Sequence, residues 1–268
     1  MTGDHAGSPW LVTRIPRSRP RVRLIAFPFA GGNAGVFDAW APLLPPEIEL
    51  CAVQYPGRHE RSAEPAPRRM AQLLGDLERG LRGQLDRRYV LYGNSFGALV
   101  AYEFARRAQR RGLPGPARLL VSSAAAPHRM MPLPEHRGRS DAELTAELVA
   151  LGTLPAEVAH HADLIAATLP TVRADFELAA SYRPSPPADP LAVPIDAISG
   201  ADDPFVGPAA VDGWAELTAA GFTVTWIPGG HDIAVHPAGG LAAAVAEKCL
   251  VSVPTPRRES SSPVSSGQ

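Results

Sequence analysis

The run Tyr89-Val90-Leu91-Tyr92 enters Gly93-Asn94-Ser95-Phe96-Gly97 and continues without a break into residues of helical period through Phe104. This junction constrains the chain more than any other stretch. A strand that becomes a helix across one serine must turn sharply, and side chains at Gly93 and Gly97 would collide with the neighbouring elements. Ser95 then stands above the sheet at a helix N-terminus, where backbone amides and the helix dipole favour a developing negative charge. Such a turn is a nucleophile elbow, and it needs a sheet beneath it and helices around it.

The rest of the chain supplies both. Val22–Phe27, Glu49–Tyr55, Arg118–Ser123, Pro194–Gly200 and Phe222–Ile227 are apolar runs bounded by Gly and Pro, and each predicts a strand. Helical periodicity predicts helices from Val36 towards Pro45, over Met70–Leu85, from Phe96 to the basic end Arg106–Arg111, over Val211–Ala220 and over Leu241–Val251. Strand and helix alternate, so the fold class is α/β, with a mainly parallel central sheet and helices on both faces. The alternation stops between Pro127 and Tyr182, where only helical patterns occur: Asp141–Leu151 with Ser140 as N-cap, Glu157–Leu169 and Val172–Tyr182. An all-helical insertion at about 127–183 is read as a lid.

With 268 residues and 45% hydrophobic content, the chain suffices for one catalytic domain, placed at 21–251. Residues 1–20 and 252–268 are rich in Pro, Arg, Ser and Gly and are expected to be disordered. Net charge is −1, which provides no global field for nucleic acid or an anionic membrane. Arg14, Arg17, Arg19, Arg21 and Arg23 form a local basic segment read as a solvated lead-in. Cys51 and Cys249 lie in apolar runs, as buried thiols in a reducing cytoplasm would. No run approaches the length of a membrane span, and no signal peptide is expected.

A serine hydroxyl is a weak nucleophile until a base takes its proton and a third group orients that base. His231, in Pro228-Gly229-Gly230-His231 after the last strand, has the best position among the histidines. His5, His59, His128 and His136 fall in polar loops, and His160 and His161 in the insertion. Asp203, in Gly200-Ala201-Asp202-Asp203-Pro204 after the penultimate strand, is preferred to Asp202 because Pro204 biases its predecessor away from helical geometry. The order Ser, acid, His matches a known hydrolase arrangement. The oxyanion would take one hydrogen bond from the Phe96 N–H and one from the loop after the first strand, from Ala30 or, less favoured, Phe29. No Cys/His set has zinc spacing and no Gly-x-x-x-x-Gly-Lys occurs, so no metal or other cofactor is expected.

Taken in order, Phe27-Pro28-Phe29-Ala30-Gly31-Gly32, Gln54-Tyr55-Pro56-Gly57-Arg58, Gly93-Asn94-Ser95-Phe96-Gly97-Ala98, Pro170–Phe176, Gly200–Pro204 and Gly229-Gly230-His231 resemble the type II thioesterases. These stand-alone enzymes of the α/β-hydrolase fold accompany polyketide synthases and nonribosomal peptide synthetases. The resemblance implies hydrolysis of acyl thioesters from the phosphopantetheine arm of acyl or peptidyl carrier proteins, with Ser95, Asp203 and His231 as triad and a mobile lid; a monomer is expected. No cofactor and no nucleic-acid or membrane partner is expected. Gln54–Arg58 and Arg173–Phe176 match family signatures and are read as loop and lid packing, with Arg173 and Asp175 paired. Two positions depart from the family pattern: Asn94 replaces a histidine beside the oxyanion loop, and Asp232 replaces an aromatic beside the base. Both are expected to bear on substrate preference, or on whether water resolves the acyl-enzyme. The competing readings are a cyclase or acyltransferase using the same acyl-enzyme, a carboxylesterase of small esters, and a degenerate hydrolase that only binds carriers.

Overall fold

The structure, a computed structural model, describes residues 8–130, 138–184 and 189–251. Expectations for residues 1–7 of the lead-in, for the tail 252–268, for His5 and His136, and for 131–137 and 185–188 lie outside the described residues.

Seven strands form one sheet: β1 (Leu11–Val12), β2 (Val22–Phe27), β3 (Ile48–Val53), β4 (Tyr89–Asn94), β5 (Leu119–Ser122), β6 (Ile195–Gly200) and β7 (Phe222–Ile227). Their spatial order is β1-β3-β2-β4-β5-β6-β7, parallel throughout except for β1, which pairs antiparallel with β3. Strands covered on both faces by helices must be apolar at nearly every position, and β4 is buried at all six of its residues. The chain winds outward from β2 to β3, then returns to place β4 on the other side of β2. Winding reverses at that point. The crevice outside the carboxyl ends of β2 and β4 is where open α/β sheets bind their ligands.

On one face pack α1 (Met70–Leu81) and α2 (Phe96–Arg110), with Leu73, Leu77, Leu99 and Tyr102 in a core that also holds Trp214. On the other face, α6 (Leu241–Val251) and the segment carrying Phe37 and Trp40 pack through Leu241, Val245 and Tyr92. Between β5 and β6 the described residues contain helices and no strand: α3 (Asp141–Ala150) and α4 (Ala162–Ser181), joined through a short 3-10 turn at Val158–His160. These helices have a separate small core of Leu144, Leu148, Leu154, Ile165, Leu169, Val172 and Phe176. Ser140 caps α3 as the sequence predicts, its side chain accepting from the Glu143 N–H while the Glu143 carboxylate accepts from the Ser140 N–H. No helix among the described residues is long and apolar enough to cross a membrane.

Several expectations are corrected. Residues 8–20 are not the disordered lead-in the composition suggests, because Trp10 is buried against the backbone of Gly80 and lies under the Arg61 guanidinium at 4.2 Å, holding β1 on the sheet edge. The helix expected from Val36 is only a 3-10 turn, Ala34–Phe37, and the chain beyond it continues in turns, the Asp38 N–H donating to the Gly35 carbonyl and the Trp40 N–H to that of Phe37, each at 3.0 Å. The two helices expected on either side of Pro170 are one, α4. Pro170 and Ala166 are both exposed, so the carbonyl left without an amide partner faces water. The helix expected over Val211–Ala220 is split into α5 (Pro208–Asp212) and a 3-10 turn at Gly213–Leu217.

Candidate active site

Ser95 follows β4 with φ 51° and ψ −117°, a strained conformation for a residue with a Cβ. The strain is locked in by close packing around it. A Cβ on Gly93 would lie 2.4 Å from the Gly97 carbonyl oxygen, and one on Gly97 would lie 2.1 Å from that of Phe27. Only glycine lets α2 start this near β2. The Ser95 N–H is held by the Ser122 carbonyl at 2.9 Å, leaving its side chain at the mouth of the switch-point crevice.

Two further loops at carboxyl ends of the sheet bring their side chains to it. β6 ends at Gly200, where a Cβ would lie 2.3 Å from the Gly229 carbonyl oxygen, so the loops after β6 and β7 run in contact. Asp203 Oδ2 lies 2.9 Å from His231 Nδ1, and His231 Nε2 lies 3.2 Å from Ser95 Oγ. An ionised carboxylate only accepts, so Nδ1 carries the proton and Nε2 is free to accept from the Ser95 hydroxyl. Asp203 Oδ1 accepts the N–H groups of Phe205 at 2.9 Å and Val206 at 3.2 Å. Burial raises the Asp203 pKa, but the hydrogen bond and charge of His231 and those two amides outweigh it and hold the carboxyl below the ordinary aspartate value. Asp202 is exposed. His231 is buried, with the Phe205 ring edge-on at 5.6 Å.

The loop put forward for the second oxyanion donor joins β2 to the segment carrying Phe37. Its N–H groups at Gly31, Gly32 and Ala34 are occupied by Asp175 Oδ2, the Phe29 carbonyl and Gln54 Oε1, at 2.8, 3.0 and 3.0 Å. Of the donors the sequence put forward there, Ala30 is half-buried and packs against the core of the helical insertion, and Phe29 is buried. Phe96, the other candidate donor, is the first residue of α2. The insertion lies over this site, with α4 against Gly31 through Val172 and the turn at Gly152 against Asp232.

One sequence expectation changes here, and the two positions that depart from the family pattern gain partners. Arg173 and Asp175 do not pair, because residues two apart on a helix face different ways. Arg173 binds Asp141 at 2.6 Å, whereas Asp175 takes both terminal nitrogens of Arg58 at 2.8 Å. Asn94 is buried, donating to Ser122 Oγ at 2.9 Å, which in turn meets the Tyr92 hydroxyl at 2.5 Å. Alternation along β4 puts Asn94 on the Tyr92 side of the sheet. Asp232 turns towards the insertion and His236, whose Nε2 is 3.5 Å away. The contact between Arg58 and Asp175 is what the sequence did not reveal, although each residue lies in a motif it singled out.

A parallel sheet with a strained serine between strand and helix, a histidine and an aspartate on the neighbouring strand ends, and a helical insertion above them define the α/β-hydrolase class. Within it, residues 22–250 match the thioesterase domain, and the chain belongs to that family. Over 251 residues it is 39% identical to the AMB antimetabolite synthetase AmbE of Pseudomonas aeruginosa, covering 94% of this chain but 12% of that protein. It is 31% identical to the gramicidin S biosynthesis protein GrsT of Aneurinibacillus migulanus, covering 86% of this chain and 90% of that one. Among solved structures, the type II thioesterase BorB from the borrelidin biosynthetic cluster superposes with a TM-score of 0.81 at 35% identity, covering 89% of this chain and 96% of BorB.

Proposed function

We propose that this thioesterase hydrolyses acyl groups from the phosphopantetheine thiol of acyl or peptidyl carrier proteins, editing or releasing chains in polyketide or nonribosomal peptide assembly. The observation that carries this reading is the hydrogen-bonded series Asp203, His231, Ser95 at the mouth of the crevice. Ser95 Oγ attacks the thioester carbonyl carbon as His231 Nε2 takes the hydroxyl proton, and Asp203 stabilises the imidazolium. The tetrahedral oxyanion is received by the N–H groups of Phe96 and Ala30. On collapse the C–S bond breaks, the sulfur takes the proton from Nε2, and an acyl ester on Ser95 remains. Water enters, gives a proton to Nε2 and attacks the ester. Collapse then releases the free acid and returns the proton to Ser95.

The neighbours' names support a carrier-bound substrate, since they are biosynthesis proteins and type II thioesterases. The test is intact-mass spectrometry of carrier proteins loaded with acetyl, longer acyl or aminoacyl groups. Wild type is expected to strip the carrier with the free acid appearing in equal amount, and Ser95→Ala to leave it loaded. A ring or conjugate in place of the free acid would assign the chain to cyclisation or transfer instead.

A further inference from the structure

A buried, densely hydrogen-bonded ion pair lies outside the triad. Arg58, at the turn after β3, and Asp175, on α4, lie 117 positions apart in sequence and are both almost wholly buried. Asp175 Oδ2 accepts from Arg58 Nη1 and from the Gly31 N–H, each at 2.8 Å, and Asp175 Oδ1 accepts from Arg58 Nη2 at 2.8 Å. Arg58 Nη1 also donates to the Gly32 carbonyl at 2.9 Å. The peptide that joins Ala30 to Gly31 is therefore gripped at its N–H, and the next residue at its carbonyl. Gly31 has φ 77°, and a Cβ there would lie 2.5 Å from Val172 Cγ2, so α4 rests directly on this backbone.

The same guanidinium reaches the other side of the site. Its carbon lies 5.0 Å from the centre of the Tyr55 ring, and that ring meets Phe96 edge-on at 6.2 Å. Gln54 completes the frame, accepting from the Ala34 N–H at 3.0 Å and donating to the Arg58 carbonyl at 3.1 Å. A bidentate arginine-carboxylate pair out of water has one favoured geometry, and it transmits that geometry to whatever else it bonds.

We propose that Asp175 and Arg58 are positioning residues that hold the Ala30 N–H in line with the Phe96 N–H, making the seating of α4 on Gly31 a condition for oxyanion stabilisation. On this account α4 is a fixed buttress of the site. The proposal rests on the triad and oxyanion assignment above.

The test compares wild type, Asp175→Asn, and the double variant Arg58→Met with Asp175→Leu. Three quantities are measured: kcat and KM on an acyl thioester of N-acetylcysteamine, the thermal midpoint, and the rate at which a fluorophosphonate labels Ser95. Losing one oxyanion donor costs about a hundred- to a thousandfold, and loosening one should cost about ten- to a hundredfold. Asp175→Asn is therefore expected to lower kcat and the labelling rate together by about that factor, with KM within about threefold. The double variant removes both buried charges, so its thermal midpoint should recover towards wild type while kcat stays low. A kcat that recovers along with the thermal midpoint would show the pair to be structural only. Labelling of Asp175→Asn at the wild-type rate would equally overturn the proposal. Wild type that fails to label at Ser95 would instead overturn the site assignment, and this proposal with it.

Discussion

Gly97→Ala puts the geometry of the elbow to a quantitative test. The added Cβ would lie 2.1 Å from the Phe27 carbonyl oxygen and 2.6 Å from that of Pro28, both backbone atoms with no rotamer to escape into. Reaching an ordinary contact of about 3.4 Å requires a shift of about 1.3 Å between α2 and the end of β2. Phe27 is paired with Gly93 in the sheet, so the shift falls on the loop that follows, which carries Ala30. Overpacking of this kind costs about 1–3 kcal/mol, and alanine in a helix returns about 1 kcal/mol over glycine. The net stability change is therefore small, about 0–2 kcal/mol. Activity is hit harder, because a misplacement of about 1 Å at a reacting centre can cost about a hundredfold. Thermal unfolding and kcat/KM on an acyl thioester measure the two effects. Gly75→Ala in α1, whose nearest neighbour would be Arg79 Nη1 at 3.6 Å, is the control and should gain about 0.5–1 kcal/mol with activity unchanged. A Gly97→Ala enzyme within threefold of wild-type kcat/KM would refute the reasoning.

Other substitutions separate neighbouring roles. Asp203→Asn should lower kcat by about a thousand- to ten-thousandfold, because an amide leaves His231 in the wrong tautomer, while Asp202→Ala stays within about threefold. Comparable losses in both, on the same thioester assay, would contradict the assignment. The depressed Asp203 pKa stabilises the fold above the unfolded value near 3.8, and this contribution is lost as pH falls through the lower folded value. The difference in thermal midpoint between wild type and Asp203→Asn should therefore be level above about pH 5 and close only at lower pH. A gap that widens on acidification would contradict the sign. Trp10→Ala should cost about 3–5 kcal/mol in chemical denaturation, with kcat of the folded enzyme unchanged, since Trp10 anchors β1 at the sheet edge, with β3 and β2 between it and β4. A loss below about 1 kcal/mol would mean that the edge strand carries little of the fold's stability.

The parts of this molecule legible in the sequence are those whose cause is local. The parallel strands announce themselves as unbroken apolar runs because helices cover both of their faces. The elbow is legible because its glycines are demanded by contacts of 2.4 and 2.1 Å that no other residue survives. β1 was hidden because Leu11 and Val12 are too short a run to show a period, and a single tryptophan packed against Gly80 holds them. Pro170 suggested a break in α4 because propensity takes no account of which side of a helix faces water. The pairing of Asp175 with Arg58 rather than Arg173 depends on a tertiary contact, invisible in the sequence even though each residue stands in a recognisable motif. Asn94 illustrates the same limit. Its place beside Ser95 in sequence suggests a role at the substrate, whereas strand alternation sets its side chain on the Tyr92 side of β4, bonded to Ser122.

The central claim is that Ser95 carries the acyl group between carrier and water, and trapping that ester tests it most directly. Cleavage after Arg88 and Arg106 yields the peptide Tyr89–Arg106, in which Ser95 is the only serine and no threonine or cysteine occurs. Asp203→Asn enzyme mixed with acyl-loaded carrier, quenched in acid, digested and sequenced by mass spectrometry should show the acyl mass on Ser95 of that peptide. Acyl mass on another residue, or carrier unloading that persists in Ser95→Ala with no adduct on the enzyme, would contradict the account.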